Sequence, residues 1–361
     1  ISIKVPKGLM NISNGRLRSV EENETTSTYH WFVNNPINNY GVNVNIGDYV
    51  YFGEKFEGEK GILDMDYYVL KDHLKVAKEH FQDAPKMMKA FEHWFGPYPF
   101  YEDSFKLVEV PYLGMEHQSS VTYGNKFMKG YLGRDLSGTG WGLKFDFIII
   151  HEAGHEWFAN NITYKDIADM WIHESFTAYA ENIFLDYYYG KEAAADYVIG
   201  TRKNIVNDRP IIGKYNVNNE GSSDMYYKGA NMIHTLRQLV NGDEKWRQIL
   251  RGLNENFYHQ TVTTQQIEEY LSQKSGKELT GFFNQYLRTA TIPVLEYKVS
   301  KKTISYRYTN VVEEFEMPIR VFTGKKAQWL SPTTGWKSQK LKGDVSEFKI
   351  DRNFYIDISK L

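Results

Sequence analysis

The feature that most constrains this chain is the stretch His151-Glu152-Ala153-Gly154-His155, with the apolar sequences FIII before it and WFA after it. Such flanks predict a buried helix. On a helix, residues four positions apart share one face, so both imidazoles can reach one metal ion. A helix with two solvated histidines is the alternative, but buried and unpaired His and Glu side chains would cost several kcal/mol. The pattern therefore predicts a metal site, with Glu152 close to the water that the metal activates.

A catalytic zinc site needs a third protein ligand, because it takes three and leaves the fourth position for water. Glu174 lies 19 residues after His155, inside the next predicted helix. Two antiparallel helices joined by a short loop would bring it to the ion. The predicted metal ligands are therefore His151, His155 and Glu174, and the predicted cofactor is one Zn²⁺ per chain. The same ligand set also suits Co²⁺ or Mn²⁺, which are the alternatives.

The rest of the chain predicts an α+β multidomain protein. Residues 1–62 show strand-like alternation, with a strong hairpin-turn signal at Asn14-Gly15, and predict part of an N-terminal antiparallel β domain. From Leu63 onwards apolar residues recur at helical spacing, so residues 63–290 predict a mainly helical domain. Short alternating segments predict a small C-terminal β-sandwich over residues 291–361.

Two helices inside the central region position the predicted ligands. The first is predicted over 145–158 and carries the histidines, and the second is predicted over 168–189, closed by Gly190. A strand is predicted over 105–112, just before the segment LGMEH over 113–117.

Composition and charge exclude several classes of function. The 361 residues suffice for two or three domains, and 43 basic against 45 acidic residues leave no basic field that indicates nucleic acid as a partner. The absence of Cys excludes disulfides and thiolate metal ligands. No stretch approaches the roughly 18 apolar residues that cross a bilayer. Because the chain opens on Ile1 inside a strand-like pattern, we read it as part of a longer protein, and with the lack of thiols this favours export.

Three motifs in the same order resemble the aminopeptidase N family of zinc exopeptidases. The segments HEAGHEWFANNIT and HESFTAYAEN are similar to the family's H-E-x-x-H and downstream Glu. The segment LGMEH over 113–117 is similar to the family's G-A-M-E-N motif, and MYYKGA over 225–230 is similar to its Y-E-K-G segment. The resemblance covers most of residues 10–290 and is weaker over the C-terminal β segment. It implies a thermolysin-like catalytic domain that hydrolyses the N-terminal peptide bond of peptides.

The resemblance also implies roles for individual residues. Glu116, in the segment with Gly114 and Met115, would bind the free α-amino group of the substrate. A fixed carboxylate pairs with an ammonium group and rejects blocked or internal peptides. Glu152 would be the general base, and Tyr226 would donate its hydroxyl to the oxyanion of the tetrahedral intermediate.

The chain departs from the family pattern beside several of these residues. Leu113, Gly114 and His117 replace the family's Gly, Ala and Asn, so the preference for a substrate side chain does not carry over. His173 and Ser175 replace Asn and Gly on either side of the predicted ligand. A helix turns about 100° per residue, which favours a packing role for His173 over ligation. In many relatives a further group helps to hold the amine, and the resemblance implies that its segment lies before residue 1. The family's large helical C-terminal domain is not expected within these residues.

Several other residues lie near these motifs. Glu181 is seven residues after Glu174, on the same helical face, where it could accept a hydrogen bond from a ligating histidine or could be a surface acid. Asn160 is predicted to cap the end of the motif helix. Asp146 and Arg209 have no predicted mechanism. The spacing to Lys228-Gly229 favours Tyr226 over its neighbour Tyr227.

Two other functions share parts of this pattern. A zinc endopeptidase of the thermolysin type would use the same ligands, but it would cleave internal bonds and ignore acetylation of the N-terminus. The Met-Glu context of Glu116 favours the exopeptidase. A metal-free scaffold that binds peptides is a third possibility, and the intact set of ligands and base argues against it.

Overall fold

The computed structural model describes all of residues 1–361. The protein combines α-helices with several β-sheets, which confirms the mixed α and β composition predicted from sequence. Its residues divide into two compact units: the first holds 1–163, 180–200 and 250–262, and the second holds 164–179, 201–249 and 263–361. None of its helices combines the length and apolarity that a membrane span requires.

The strands of the first unit lie mostly before the motif helix. They are β1 Ser2–Pro6, β2 Met10–Ile12, β3 Arg16–Glu22, β4 Thr26–Phe32, β5 Asn45–Gly47, β6 Tyr49–Gly58, β7 Gly61–Leu70, β8 Phe105–Glu109, β9 Gly114–Met115, β10 Val121–Tyr123, β11 Ile162–Tyr164 and β12 Gln260–Val262. The remaining strands are β13 Val294–Ser300, β14 Thr303–Thr309, β15 Ile319–Thr323, β16 Lys326–Leu330, β17 Lys337–Lys340, β18 Phe348–Ile350 and β19 Asp357–Lys360.

The helices occupy the middle of the chain. They are α1 Leu74–His80, α2 Asp83–Phe95, α3 Phe147–Gly154, α4 Trp171–Tyr189, α5 Lys191–Gly200, α6 Tyr227–Val240, α7 Asp243–Asn256, α8 Thr264–Ser275 and α9 Thr280–Arg288. The predicted helix over 168–189 corresponds to α4, and Gly190, with φ +86°, follows its last residue as the pattern predicted.

A five-stranded sheet with the order β6-β7-β8-β10-β9 organises the first unit. Strands β7, β8 and β10 run parallel to one another, while β9 pairs antiparallel with β10 and forms one edge of the sheet. The N-terminal strands form a sheet of order β1-β4-β3 and a separate β2-β5 pair. Their buried side chains, including Val5, Ile12 and Trp31, form one cluster with residues of the five-stranded sheet such as Tyr68.

The helical prediction is wrong for residues 63–70, which belong to β7. This strand pairs antiparallel with β6 along its whole length, from Tyr49 opposite Leu70 to Gly58 opposite Gly61. Leu63, Met65 and Tyr67 are buried while the residues between them are less so, which is the two-residue period of a strand. Apolar residues four apart in this stretch satisfy the helical and the strand period together. Pairing with β6 decides between them, and the helix begins only at α1.

The hairpin predicted at Asn14-Gly15 is also wrong. The flanking strands β2 and β3 belong to different sheets and pair with β5 and β4 instead. A two-residue hairpin of this sequence needs positive φ at both residues, whereas here only Gly15 has it, at +72°. The Asn14 side chain is buried and donates to the carbonyl oxygens of Gly41, at 2.8 Å, and Gln118, at 2.6 Å. Its side-chain amide therefore forms hydrogen bonds with buried backbone carbonyls, and Asn14 does not form a hairpin turn.

The C-terminal strands form two sheets in the second unit. One has the order β17-β14-β13-β19 and the other has the order β16-β15-β18. Buried side chains alternate along β14 and β15, so each strand presents one apolar face.

Candidate metal centre

Helix α3 begins at a buried aspartate that organises its first turn. The carboxylate of Asp146 accepts from the backbone N–H groups of Ile148, at 2.9 Å, and Ile149, at 3.2 Å. It also accepts from the Tyr123 hydroxyl at 2.7 Å and lies 2.6 Å from Nε2 of His80. Asp146 is therefore the N-cap of the motif helix, a role that an aspartate before an apolar helical run could have indicated from sequence.

The two motif histidines project from one side of α3, and a hydrogen bond fixes each ring. Their ring centroids are 5.0 Å apart. Nδ1 of His151 is hydrogen-bonded to Oε1 of Glu181 at 2.8 Å, and Nδ1 of His155 donates to the carbonyl oxygen of Phe158 at 3.1 Å. With both Nδ1 atoms engaged, Nε2 of each histidine remains as the nitrogen for a metal ion.

The chain leaves α-helical geometry just after the second histidine, which explains the Phe158 contact. A π-helical segment follows over Glu156–Asn161, with φ −123° and ψ 71° at Phe158. This departure turns the Phe158 carbonyl toward the ring of His155, only three residues earlier. π-Helical turns occur often at functional sites. The sequence prediction of one continuous helix over 145–158 missed this break.

The structure brings the three predicted ligands together. One ligand atom from each of His151, His155 and Glu174 lies within 4.8 Å of the other two, and all three residues are buried. Glu174 lies in the first turn of α4. Two imidazole nitrogens and a carboxylate, with the rings oriented by second hydrogen bonds, match the donor chemistry of a catalytic zinc site.

Glu181 occupies the supporting position rather than the surface. It lies two turns after Glu174 on α4 and is 1% exposed. Besides His151, it accepts a short hydrogen bond from the hydroxyl of Tyr197. A buried carboxylate behind a histidine fixes the tautomer of the ring and raises its basicity.

A second group of acidic side chains lies beside the histidines. Ligand atoms of Glu116, Glu152 and His155 are within 4.8 Å of one another, so the predicted base and the predicted amine-binding acid share one small region. Glu116 directly follows β9, the edge strand.

Gly114 allows β9 to lie directly against the motif helix. A Cβ atom at this position would be 2.6 Å from Cγ2 of Ile148 and 3.2 Å from Cγ of Glu152. The alanine of the family's motif therefore does not fit here unless the Ile148 side chain or α3 moves. Gly114 and Met115 contribute close approach of the backbone and strand pairing with β10.

The residues after Glu116 are held by the π-helical segment. Nδ2 of Asn160 donates to the backbone carbonyl of Glu116 at 2.9 Å, and Oε1 of Glu156 accepts from the backbone N–H of Ser119 at 2.7 Å. Burial raises the pKa of Glu156 to about 8, although the Ser119 N–H group acts in the opposite direction. The capping role predicted for Asn160 is thus wrong. Its side-chain partner lies 44 residues earlier in the chain, a distance that local pattern cannot reveal.

Tyr226 lies at the junction of a 3₁₀ turn, Ser223–Met225, and α6. The preceding residue is tied to α4, because the hydroxyl of Ser175 donates to the carbonyl of Met225 at 2.6 Å. Gly229 lies against the same serine, with a hypothetical Cβ only 1.8 Å from its Oγ. Ser175 directly follows Glu174, so these contacts connect the backbone of the Tyr226 segment to the first turn of α4.

Two other residues named from the sequence, His173 and Arg209, form hydrogen bonds with backbone groups. Nε2 of His173 accepts from the backbone N–H of Tyr164 at 2.9 Å, and the two rings stack at 4.2 Å. Arg209 pairs with its neighbour Asp208 at 2.9 Å and donates to the carbonyl of Gly221 at 3.1 Å.

Comparison with known proteins gives consistent matches. The sequence model of the peptidase family M1 domain matches residues 79–286. Leukotriene A-4 hydrolase of Xenopus laevis is 25% identical over 288 residues, which cover 74% of this chain and 44% of that protein. The chain therefore spans less than half the length of this curated relative.

Two solved structures show the likeness of fold. Aminopeptidase A of Legionella pneumophila, in complex with aspartic acid, aligns with a TM-score of 0.80 and 14% identity, covering 100% of this chain and 44% of that one. A mutant M1 zinc metallopeptidase of Deinococcus radiodurans, bound to a Tyr-Ser-Ala substrate, aligns with a TM-score of 0.62 and 18% identity, covering 80% of this chain and 62% of that one.

Proposed function

This chain belongs to peptidase family M1, and from that premise we propose that it is a zinc aminopeptidase, which hydrolyses the N-terminal peptide bond of peptides. The observation that carries the proposal is the approach of His151, His155 and Glu174, whose ligand atoms lie within 4.8 Å of one another beside Glu152 and Glu116. The relatives named above support the same reaction class, since they include an aminopeptidase and a zinc metallopeptidase.

The three converging residues would hold the zinc ion. Their fit rests on the donor set and on the engaged Nδ1 atoms of both histidines, which leave Nε2 for coordination. Zinc bound there would polarise the scissile carbonyl and lower the pKa of a water molecule to about 7. Glu181 would keep the ring of His151 in the ligating tautomer.

Glu152 would perform the proton transfers of the reaction. Its carboxylate would take a proton from the attacking water and deliver it to the leaving amine. The close packing of Gly114 against Glu152 limits the positions of that side chain, which favours a fixed base. Tyr226 would donate its hydroxyl to the oxyanion, and the contact between Ser175 and Met225 would hold its backbone in place.

Glu116 would give the enzyme its preference for a free N-terminus. Its carboxylate would pair with the α-ammonium group of the substrate and place the first peptide bond next to Glu152. Gly114 and Met115 would line this part of the site through the edge strand β9, whose main chain can pair with an extended peptide.

We further propose that the domains follow the division read from sequence. Residues 63–290 would form a thermolysin-like catalytic domain, between part of an N-terminal antiparallel β domain over 1–62 and a C-terminal β-sandwich over 291–361. The hairpin of β6 and β7 would carry the chain from the first of these into the second. The two sheets built from β13 to β19 support the sandwich.

Time-resolved mass spectrometry of a digested peptide tests the proposed reaction. The zinc-loaded protein should remove one residue at a time from the N-terminus of an unmodified decapeptide. Glu116→Gln should slow this removal strongly and leave the zinc content unchanged. Internal fragments as first products would instead assign a zinc endopeptidase, and an unchanged peptide would overturn both.

A further inference from the structure

The loop that carries Glu116 is held by the N-terminal part of the chain as well as by the motif helix. Nδ2 of Asn14 donates to the carbonyl of Gln118 at 2.6 Å, and Nε2 of Gln118 donates to the carbonyl of Pro36 at 2.9 Å. Nδ2 of Asn43 donates to the carbonyl of Ser120 at 3.2 Å. All of these groups belong to the first compact unit. The loops that connect the N-terminal strands therefore form part of the wall around Glu116.

Within this wall, one side chain reaches the carboxylate itself. The hydroxyl of Tyr40 donates to Oε1 of Glu116 at 2.9 Å. Tyr40 lies in a 3₁₀ turn, Asn39–Gly41, whose N-cap Asn38 accepts from the backbone N–H of Gly41 at 2.9 Å. The turn is thus a defined local structure, and it points a phenol at the predicted amine-binding acid.

Tyr40 and Glu116 differ in how far they are buried. Tyr40 is 46% exposed, so its ring contributes only part of its apolar surface to burial. Glu116, by contrast, is 9% exposed, and its backbone carbonyl is already fixed by Asn160. Burial lowers the pKa of the adjacent His117, which favours the neutral form of the imidazole next to this acid.

We propose that Tyr40 is a positioning residue for Glu116, and that by holding Oε1 it directs the second carboxylate oxygen at the α-ammonium group of the substrate. The proposal rests on the proposed aminopeptidase function and extends the amine-binding subsite to the N-terminal strands. A carboxylate with one oxygen fixed loses less rotational freedom when it binds an ammonium group, so binding of that group is stronger.

A pair of hydroxamates separates this role from a general effect on the site. Leucine hydroxamate and 4-methylpentanohydroxamic acid share the zinc-binding group and the isobutyl group, and they differ only in the α-amine. Calorimetry on the zinc-loaded protein gives the dissociation constant of each. We expect the wild type to bind leucine hydroxamate more tightly. Tyr40→Phe should weaken the binding of leucine hydroxamate by about two- to tenfold, the scale of ordering one flexible side chain, and should leave the binding of the des-amino ligand unchanged.

Kinetics and a matched control complete the test. Tyr40→Phe should raise KM for a free-amine substrate much more than it changes kcat. Tyr51→Phe removes a similar contact, because the exposed Tyr51 donates to Oδ1 of Asp66 at 2.9 Å, and it should have no effect on either ligand. In a Glu116→Gln background, Tyr40→Phe should add nothing, because both changes act on one interaction.

The outcomes distinguish this inference from the function on which it rests. If the wild type binds both hydroxamates equally, the amine-binding role of Glu116 is wrong and the role of Tyr40 is wrong with it. If the wild type prefers the amine and Tyr40→Phe keeps the full preference, or weakens both ligands alike, only the positioning role is overturned. Additive effects of the Tyr40 and Glu116 changes would overturn it as well.

Discussion

At the scale of single residues, neighbouring side chains of one motif have different proposed roles, some in metal binding and one in proton transfer. His151 and His155 have their Nδ1 atoms engaged by other groups, while Glu152 lies with Glu116 and is not one of the three proposed ligands. Proton transfer and metal binding should therefore respond to different substitutions.

Glu152→Gln tests the base assignment. The variant should retain about one zinc ion per chain, because the ligands are untouched, and kcat should fall by roughly 10²- to 10⁴-fold. His151→Ala is the contrasting variant and should lose the metal. Zinc analysis and steady-state kinetics measure both effects. Retained turnover in Glu152→Gln would show that another group is the base.

Glu181→Gln tests the support of the first histidine. The variant should bind zinc about 10- to 100-fold more weakly, because the neutral amide is a poorer partner for Nδ1 of His151. Competition with a chromogenic chelator measures the affinity. Tyr197→Phe removes the other hydrogen bond to Glu181 and leaves its carboxylate, so its effect should be smaller. Equal zinc affinity in Glu181→Gln and wild type would contradict the role.

Residue spacing predicted that His151 and His155 face one side of a helix, and the next predicted helix offered Glu174 as a third group near them. It did not predict the partners of Asn160 or the contact of Tyr40, since these join residues 44 and 76 positions apart. Such contacts follow from how sheets and loops meet in space, which a local pattern does not contain.

At the scale of elements, the first turn of α4 is packed against the segment that begins α6. Ser175 and Gly229 touch there, and Ser175 also donates to the carbonyl of Met225. This packing connects the segment of Tyr226 to the segment of Glu174 without involving either side chain.

Gly229→Ala should disturb this packing. The added Cβ would lie 1.8 Å from Oγ and 2.5 Å from Cβ of Ser175, so the helices must shift, at a cost of about 1–3 kcal/mol in the free energy of unfolding. Chemical denaturation measures the change. The double variant with Ser175→Gly should recover part of the loss, because it removes both clashing atoms.

Gly335→Ala is the matched control, since this glycine lies in an exposed bend and the nearest heavy atom to an added Cβ would be 4.0 Å away. It should leave the free energy of unfolding within about 0.5 kcal/mol of the wild type, as surface substitutions usually do. A Gly229→Ala variant as stable as this control would contradict the packing described.

Some elements were predicted correctly from this sequence and others were not. The capping glycine at Gly190 and the long apolar pattern marked the end of α4 correctly. The stretch 63–70 was misassigned because its apolar residues fit two periods, and pairing with strand residues 7–21 positions earlier settles the choice. Asn14-Gly15 failed as a turn because tertiary contacts claim the Asn14 side chain.

At the scale of the molecule, the N-terminal strands are joined to the five-stranded sheet by a buried lysine. Nζ of Lys106, on β8, donates to the carbonyls of Gly15 and Asp103, the latter at 3.1 Å, and to Oγ of Ser104 at 3.1 Å. Lys106 is 1% exposed, and burial lowers its pKa to about 8. The contribution of Lys106 to the free energy of unfolding therefore depends on pH.

The sign of this dependence follows from the lowered pKa. Between about pH 8 and 10.5 the unfolded chain binds the lysine proton more than the folded chain does, so this residue makes stability rise with pH in that range. The rise should reach at most about 3 kcal/mol. Urea denaturation across this range should show the rise in the wild type and in Lys75→Met, an exposed control. Lys106→Met should show a smaller rise, since Lys228, whose pKa is also lowered to about 8 by burial, keeps its own contribution. An identical slope in this variant and the wild type would contradict the assignment.

The most direct test of the central claim uses one fluorogenic peptide in two forms, with a free and with an acetylated N-terminus. Each form is assayed before chelation, after chelation and after return of zinc. The account predicts that only the free form is cleaved, that chelation abolishes cleavage, and that zinc restores it. Equal cleavage of both forms would contradict the aminopeptidase assignment, and cleavage that survives chelation would contradict the metal centre itself.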